Sequence, residues 1–187
     1  MSDKGFSILV LSAKNSARSL MAEALFNVLG KGRFRAYSAG SLPSGQVNPF
    51  AIERCEALGY DLSQLRSKSW DEFATNDAPH MDFVITVCDH AAEKVCPIWP
   101  GHTMTGHWGF EDPTAFEGDE DEKRRVFDRV YRQILNRVGQ FVNLPLNVLD
   151  RNAIHREMRA IGATTAVETN EPKSQPDSGD VSGGQTS

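Results

Sequence analysis

The stretch Ser12-Ala13-Lys14-Asn15-Ser16-Ala17-Arg18-Ser19 lies between two apolar patterns of different period, and that junction limits the possible folds more than any other part of the chain. Before it, residues 8–11 form a short apolar run consistent with a buried strand. After it, Leu20, Met21, Ala24, Leu25 and Val28 recur at helical spacing until Gly30 stops the pattern. A strand that runs through a short polar loop into a helix leaves the loop at the helix N-terminus. There the unpaired backbone N–H groups and the positive end of the helix dipole favour an anion. Arg18 adds a planar, permanently charged fork able to grip two oxygens of a tetrahedral oxyanion. Taken alone, the Ser and Asn side chains of the loop read equally well as helix caps.

The rest of the chain reads as alternating strands and helices. Asn48-Pro49 supplies an N-cap and a first-turn proline, Ile52, Cys55 and Leu58 mark one apolar face, and Gly59 ends that helix. Ser69-Trp70-Asp71-Glu72 has the spacing of a capping box and predicts a further helix. Residues 83–87 form a second apolar, β-branched run, expected as a central strand. Residues 122–141 place Val126, Phe127, Val130, Tyr131, Ile134, Leu135, Val138 and Phe141 on one face of a long amphipathic helix, whose start carries the acidic run 119–122. Residues 149–161 predict a last helix. This alternation implies an α/β fold with a parallel sheet and helices on both faces.

Composition narrows the partners. The 187 residues suit one domain, expected over residues 1–162, and a tail over 163–187 whose polar, Gly- and Pro-rich composition predicts disorder. A net charge of -5 with no basic stripe argues against nucleic acid as a partner. No apolar run of about 18 residues or signal-like N-terminus is present, so no membrane association and a cytoplasmic location are expected. Three cysteines in that setting point to reduced thiols. The histidines, His80, His90, His102, His107 and His155, show no ligand spacing, and no metal site is expected.

Asn15, Arg18 and Ser19 have the spacing of the phosphate loop of the low-molecular-weight tyrosine phosphatase superfamily, which this chain resembles. Tyr37-Ser38-Ala39-Gly40-Ser41, Val47-Asn48-Pro49, Ser67-Lys68-Ser69-Trp70-Asp71-Glu72-Phe73, Val84-Ile85-Thr86-Val87-Cys88-Asp89, Cys96-Pro97, His107-Trp108-Gly109 and Asp112-Pro113 narrow the resemblance to its arsenate reductase branch, over about residues 8–162. The resemblance implies a four-stranded parallel sheet flanked by helices. It implies that Ala13, Lys14, Asn15, Ser16, Ala17 and Arg18 wrap arsenate or phosphate, that position 12 carries the nucleophile, that Ser19 activates it and that Asp112 is the general acid. Asp-Pro is also an ordinary turn initiator, which is the structural reading of Asp112. Cys88 and Cys96 would be redox-active, with no bound cofactor and with a thiol reductant, glutathione with glutaredoxin or thioredoxin, as electron donor. Residues 89–95 read as helical, which would separate the two thiols by roughly 12 Å at about 1.5 Å per residue. A disulfide needs Cα atoms within roughly 7 Å, so a Cys88–Cys96 relay requires that turn to unwind. Cys55, on a helix interior, reads as a buried structural thiol.

Position 12 departs from the pattern, because the family's loop begins with cysteine and this one begins with Ser12. Reducing As(V) to As(III) takes two electrons from two thiols, and a hydroxyl supplies none. Nor is a hydroxyl a strong nucleophile without an adjacent base. The expectation is an arsenate reductase scaffold that binds oxyanion without turnover. A cysteine-to-serine substitution made to trap ligand and a natural non-catalytic oxyanion sensor both fit, and the intact accessory residues favour the first. A low-molecular-weight tyrosine phosphatase is the competing enzyme, for which Trp108 would wall the pocket.

Overall fold

A computed structural model describes residues 5–88, 99 and 102–164. Cys96, the helical reading of residues 89–95 and the expected tail from 165 onward lie outside those residues. Strands β1 (Phe6–Ser12), β2 (Phe34–Gly40), β3 (Phe83–Thr86) and β4 (Met104–His107) form one parallel sheet in the order β2-β1-β3-β4. The helices are α1 (Arg18–Leu29), α2 (Pro49–Leu58), α3 (Glu120–Val142) and α4 (Arg151–Gly162). Among the described residues no helix is long and apolar enough to cross a membrane.

Side chains alternate across β1, and each face has its own core. Ile8 and Val10 join Phe83 and Ile85 in a cluster with Met21 and Leu25 of α1, Ala51 and Cys55 of α2, Phe127, Ile134 and Phe141 of α3, and Ile154 and Met158 of α4. Leu9 and Leu11 face the other way, where Val84, Met81 and Trp99 pack with half-buried Tyr37, Trp70 and Phe73. Phe141 is the hub of the larger cluster, meeting Phe26, Phe83 and Trp108 edge-on at centroid distances of 5.8, 5.1 and 5.8 Å.

Pairing fixes where the strands end. Ser12 is opposite Gly40, Leu11 opposite Thr86, and Thr86 opposite His107. The carboxyl ends of all four strands therefore share one edge, the edge at which open parallel sheets hold ligands.

Local signals act largely as the sequence implies. Asn48 accepts from the Phe50 N–H ahead of Pro49, and Gly59 closes α2 at φ 83, a left-handed value that favours glycine. The acidic run 119–122, expected only as charge at a helix start, also forms a reciprocal capping box there through Asp119 and Glu122. The segment after Ser69 differs from expectation. It is a short 3-10 helix, Trp70–Phe73, in which Ser69 caps the Asp71 N–H. Glu72, the residue that would complete a capping box, is instead held by both guanidinium nitrogens of Arg66 at 2.8 and 2.7 Å. The Thr164 carbonyl still accepts from Arg137 at 2.9 Å, so packing extends slightly past residue 162.

Gly40 is where strand and loop come closest. A Cβ there would lie 2.5 Å from the Ala13 carbonyl oxygen and 3.0 Å from the Asn15 Cβ, so β2 ends directly against the loop after β1. Gly40→Ala is expected to destabilise the protein by about 2 kcal/mol, as overpacking against backbone does. Urea unfolding of the two proteins measures this, and equal midpoints would show that the loop yields without cost.

Candidate functional site

The loop from Ser12 to α1 is shaped by hydrogen bonds on its outer side. The carbonyls of Ser12, Ala13, Lys14 and Ser16 accept from the N–H groups of Ser41, Leu42, Ser44 and Asn48 at 3.3, 2.9, 3.0 and 2.8 Å. Because each trans peptide sets its N–H opposite its C=O, the N–H groups of Ala13, Lys14, Asn15 and Ala17 turn toward the inner side. The Asn15 N–H shows this direction, reaching the Ser12 Oγ at 3.1 Å. The first turn of α1 opens at the same place, so inward amides and the helix N-terminus converge.

Asn15 ties the loop together. Its backbone is left-handed at φ 45, a conformation asparagine tolerates better than most residues. Its Oδ1 accepts the Lys68 N–H at 2.9 Å, and its Nδ2 donates to Ser19 Oγ at 2.8 Å. Ser19 Oγ in turn lies 2.8 Å from Ser12 Oγ. Since Ser19 already accepts from Asn15, its own proton is available for Ser12, and the Ser12 oxygen then receives two donors. Such a setting favours an anion at position 12, sulfur above all.

Arg18 opens α1 and is 8 % exposed. Its Nη1 donates to the Phe110 carbonyl at 2.8 Å, and its Nη2 lies 3.5 Å from Asp112 Oδ2. Asp112 divides its oxygens: Oδ1 accepts from the Thr114 N–H and hydroxyl at 3.0 and 2.7 Å, while Oδ2 faces Arg18. The turn reading and the site reading of this residue are thus compatible, one oxygen serving each. The 109–112 segment is held from α3 by Arg137, which donates to the Gly109 carbonyl at 2.9 Å and stacks over the Phe110 ring with its guanidinium carbon 4.4 Å from the centroid.

The remaining sequence candidates divide. Cys88 is half-buried two residues past β3, next to Val87, whose N–H donates to the Leu11 carbonyl at 2.9 Å. That places its backbone at the same sheet edge as Ser12. Cys55 is fully buried and burial pushes its thiol up to about 12, as expected for a structural cysteine. Lys14 is exposed at the loop tip. His107 is bonded to Thr86 through Nδ1 at 2.6 Å, at the end of β4. Trp108 is not a pocket wall: it is 1 % exposed, stacks on Phe26 and donates its indole N–H to the Met158 carbonyl at 3.0 Å. Among the described residues no group of three His, Cys, Asp or Glu side chains is placed to hold a metal ion.

Several contributors are not legible in the sequence. The Phe110 carbonyl and Arg137 reach the site across long sequence separations, and no local pattern marks them. Glu23, an acid within the apolar run of α1, is 4 % exposed, and Lys68 is 7 % exposed. Burial raises the Glu23 carboxyl to about 7, with Lys68 the largest opposing influence. Burial likewise lowers the Lys68 ammonium, offset by Glu23.

Relatives carry the same architecture. The low molecular weight phosphotyrosine protein phosphatase family matches residues 7–158. An arsenate reductase of Bacillus subtilis is 39% identical over 134 residues, which are 72% of this chain and 93% of that protein. A solved arsenate reductase in a phosphate-binding state is 29% identical with a TM-score of 0.59, over 73% of this chain and 96% of that one. The thioredoxin-dependent arsenate reductase of Corynebacterium glutamicum is 25% identical with a TM-score of 0.50, over 74% of this chain and 64% of that one. The chain belongs to the low molecular weight phosphotyrosine protein phosphatase family.

Proposed function

We propose that this chain is an arsenate reductase scaffold that, with serine at position 12, binds arsenate or phosphate without turning it over. The observation that carries the reading is the surroundings of the Ser12 hydroxyl. Its partners among the described residues are the Ser19 hydroxyl and the Asn15 N–H, and neither is a base. Such a loop stabilises a thiolate that is already ionised; it does not deprotonate an alcohol of far higher pKa.

With cysteine at position 12 the chemistry closes. The thiolate attacks arsenic and forms a sulfur–arsenic bond while one arsenate oxygen leaves as water, protonated by Asp112. Arg18 and the inward N–H groups hold the remaining oxygens. A second thiol, Cys88 in this reading, attacks the arsenic-bound sulfur; a disulfide forms, the electron pair of the broken bond passes to arsenic, and arsenite departs. The two thiols are oxidised by two electrons and As(V) is reduced to As(III). The disulfide is then reduced by thioredoxin after exchange with Cys96, or glutathione with glutaredoxin takes the part of the second thiol. The thioredoxin dependence of the Corynebacterium glutamicum relative supports the first donor.

The phosphatase alternative is weakened by Trp108, whose burial in the core removes the aromatic residue proposed to hold a phenyl ring. Expected behaviour separates the two enzymes. The chain as it stands binds phosphate and leaves arsenate unreduced, whereas Ser12→Cys reduces arsenate at least about a hundredfold above that background when supplied with thioredoxin or with glutathione and glutaredoxin. Aryl phosphate hydrolysis by Ser12→Cys, with no arsenate reduction, would favour the phosphatase instead. Silence in both assays with retained phosphate binding would leave a binding protein.

In the Ser12→Cys background, Asp112→Asn is expected to slow turnover about a hundredfold or more, the usual contribution of a general acid, and to leave phosphate affinity nearly unchanged. Single-turnover arsenite formation alongside phosphate calorimetry measures the two effects. Unaltered turnover would remove Asp112 from the mechanism.

A further inference from the structure

Beneath the loop lies a group of buried polar side chains that arsenate chemistry leaves unused. Glu23 follows Ser19 by one helical turn on the same face of α1, so their Cβ atoms are about 6 Å apart. Ser38 of β2 donates to Glu23 Oε2 over 3.4 Å. Lys68 donates its Nζ to the Arg66 carbonyl at 2.9 Å, while its N–H holds Asn15 Oδ1 at 2.9 Å. The Asn15 amide therefore joins Lys68 to Ser19, and Glu23 sits below that bridge.

The charges around Glu23 are few. Lys68 and Arg66 face it from the segment before the 3-10 helix Trp70–Phe73. From α2 and its C-terminal end come Cys55 and Tyr60, each pushed up to about 12, chiefly by burial, and so neutral near pH 7. Asn27, one turn further along α1, is neutral and engages the Tyr60 hydroxyl at 3.1 Å. Among the described residues the charges that act on it are those of Lys68 and Arg66, so this carboxyl can gain or lose its proton near neutrality without a second carboxyl competing for it.

We propose that Glu23 is a positioning residue for the oxyanion loop, whose charge state sets how tightly the loop holds a dianion. The proposal rests on the oxyanion-binding reading of residues 12–19. When neutral, Glu23 leaves the field of the helix N-terminus, Arg18 and Lys68 undiminished. Once ionised, it places a buried negative charge one turn below the bound anion, where low polarisability leaves the repulsion poorly screened. Lys68 offsets part of that charge and favours its formation. Burial sets the carboxyl at about 7, so affinity is high below that pH and falls above it.

The test is sulfate binding by calorimetry from about pH 5.5 to about pH 8.5, since sulfate stays a dianion throughout and adds no titration of its own. The intact chain is expected to lose affinity on the order of tenfold across this range. Glu23→Gln keeps the shape of the side chain and removes its charge, and should hold the tighter affinity at every pH. Lys68→Met removes the compensating cation and should move the midpoint to higher pH, which keeps the idea testable if Glu23→Gln fails to fold. A decline that persists in Glu23→Gln, or a midpoint unmoved in Lys68→Met, overturns the proposal while the oxyanion reading stands. Failure of sulfate and phosphate to bind at any pH overturns both.

Discussion

The loop after β1 holds its concave form because its carbonyls are occupied elsewhere. Four of them accept hydrogen bonds from residues 41–48, the segment that leads from Gly40 to the cap of α2. A buried carbonyl left unpaired would cost on the order of 1–3 kcal/mol, so these partners decide which way each peptide faces. Once the carbonyls turn outward, the amides turn inward without further instruction. The site is thus a consequence of backbone bonding between β1 and the chain that leaves β2, and the side chains of Asn15, Ser19 and Arg18 refine it.

That dependence explains why residues far from the chemistry are tightly constrained. Gly40 has no room for a Cβ because β2 must end close enough for Ser41 and Leu42 to reach the loop. Asn15 adopts a left-handed backbone because both ends of its amide are needed, one toward Lys68 and one toward Ser19. Arg137 secures the 109–112 segment from α3, where Arg129 also pairs with Glu111, so the helix helps set the distance at which Asp112 meets Arg18. The large aromatic core around Phe141 gives α3 that fixed position on the sheet.

Ser12 is the point where scaffold and chemistry part. Among the described residues its bonding partners, the Ser19 hydroxyl and the Asn15 N–H, can both donate, a field suited to an anion, and a hydroxyl is not an anion at neutral pH. The surroundings of position 12 fit a thiolate better than the residue that occupies it. Lys68 and Glu23 extend the same logic one layer down. Burial disfavours the charged form of each, and each partly offsets that for the other.

The strand-loop-helix junction with Arg18 at the helix start, the parallel α/β class, the cap at Asn48 and the acidic start of α3 are all written in the order of residues, because these are short-range patterns in which period and spacing are the cause. Asp112 stands out through likeness to a family, as do the roles of Asn15 and Ser19, and not through local chemistry, since an Asp before Pro reads equally as a turn. Only the assembled fold makes Trp108 part of the core, pairs Glu72 with Arg66 in place of closing a capping box, sets Arg137 against the 109–110 segment, and brings the Phe110 carbonyl to Arg18 with Glu23 and Lys68 buried close by. Most of these contacts join residues tens of positions apart, and their energies depend on burial and on which strand lies beside which. No local pattern carries that information, because desolvation and backbone pairing exist only once the sheet has formed.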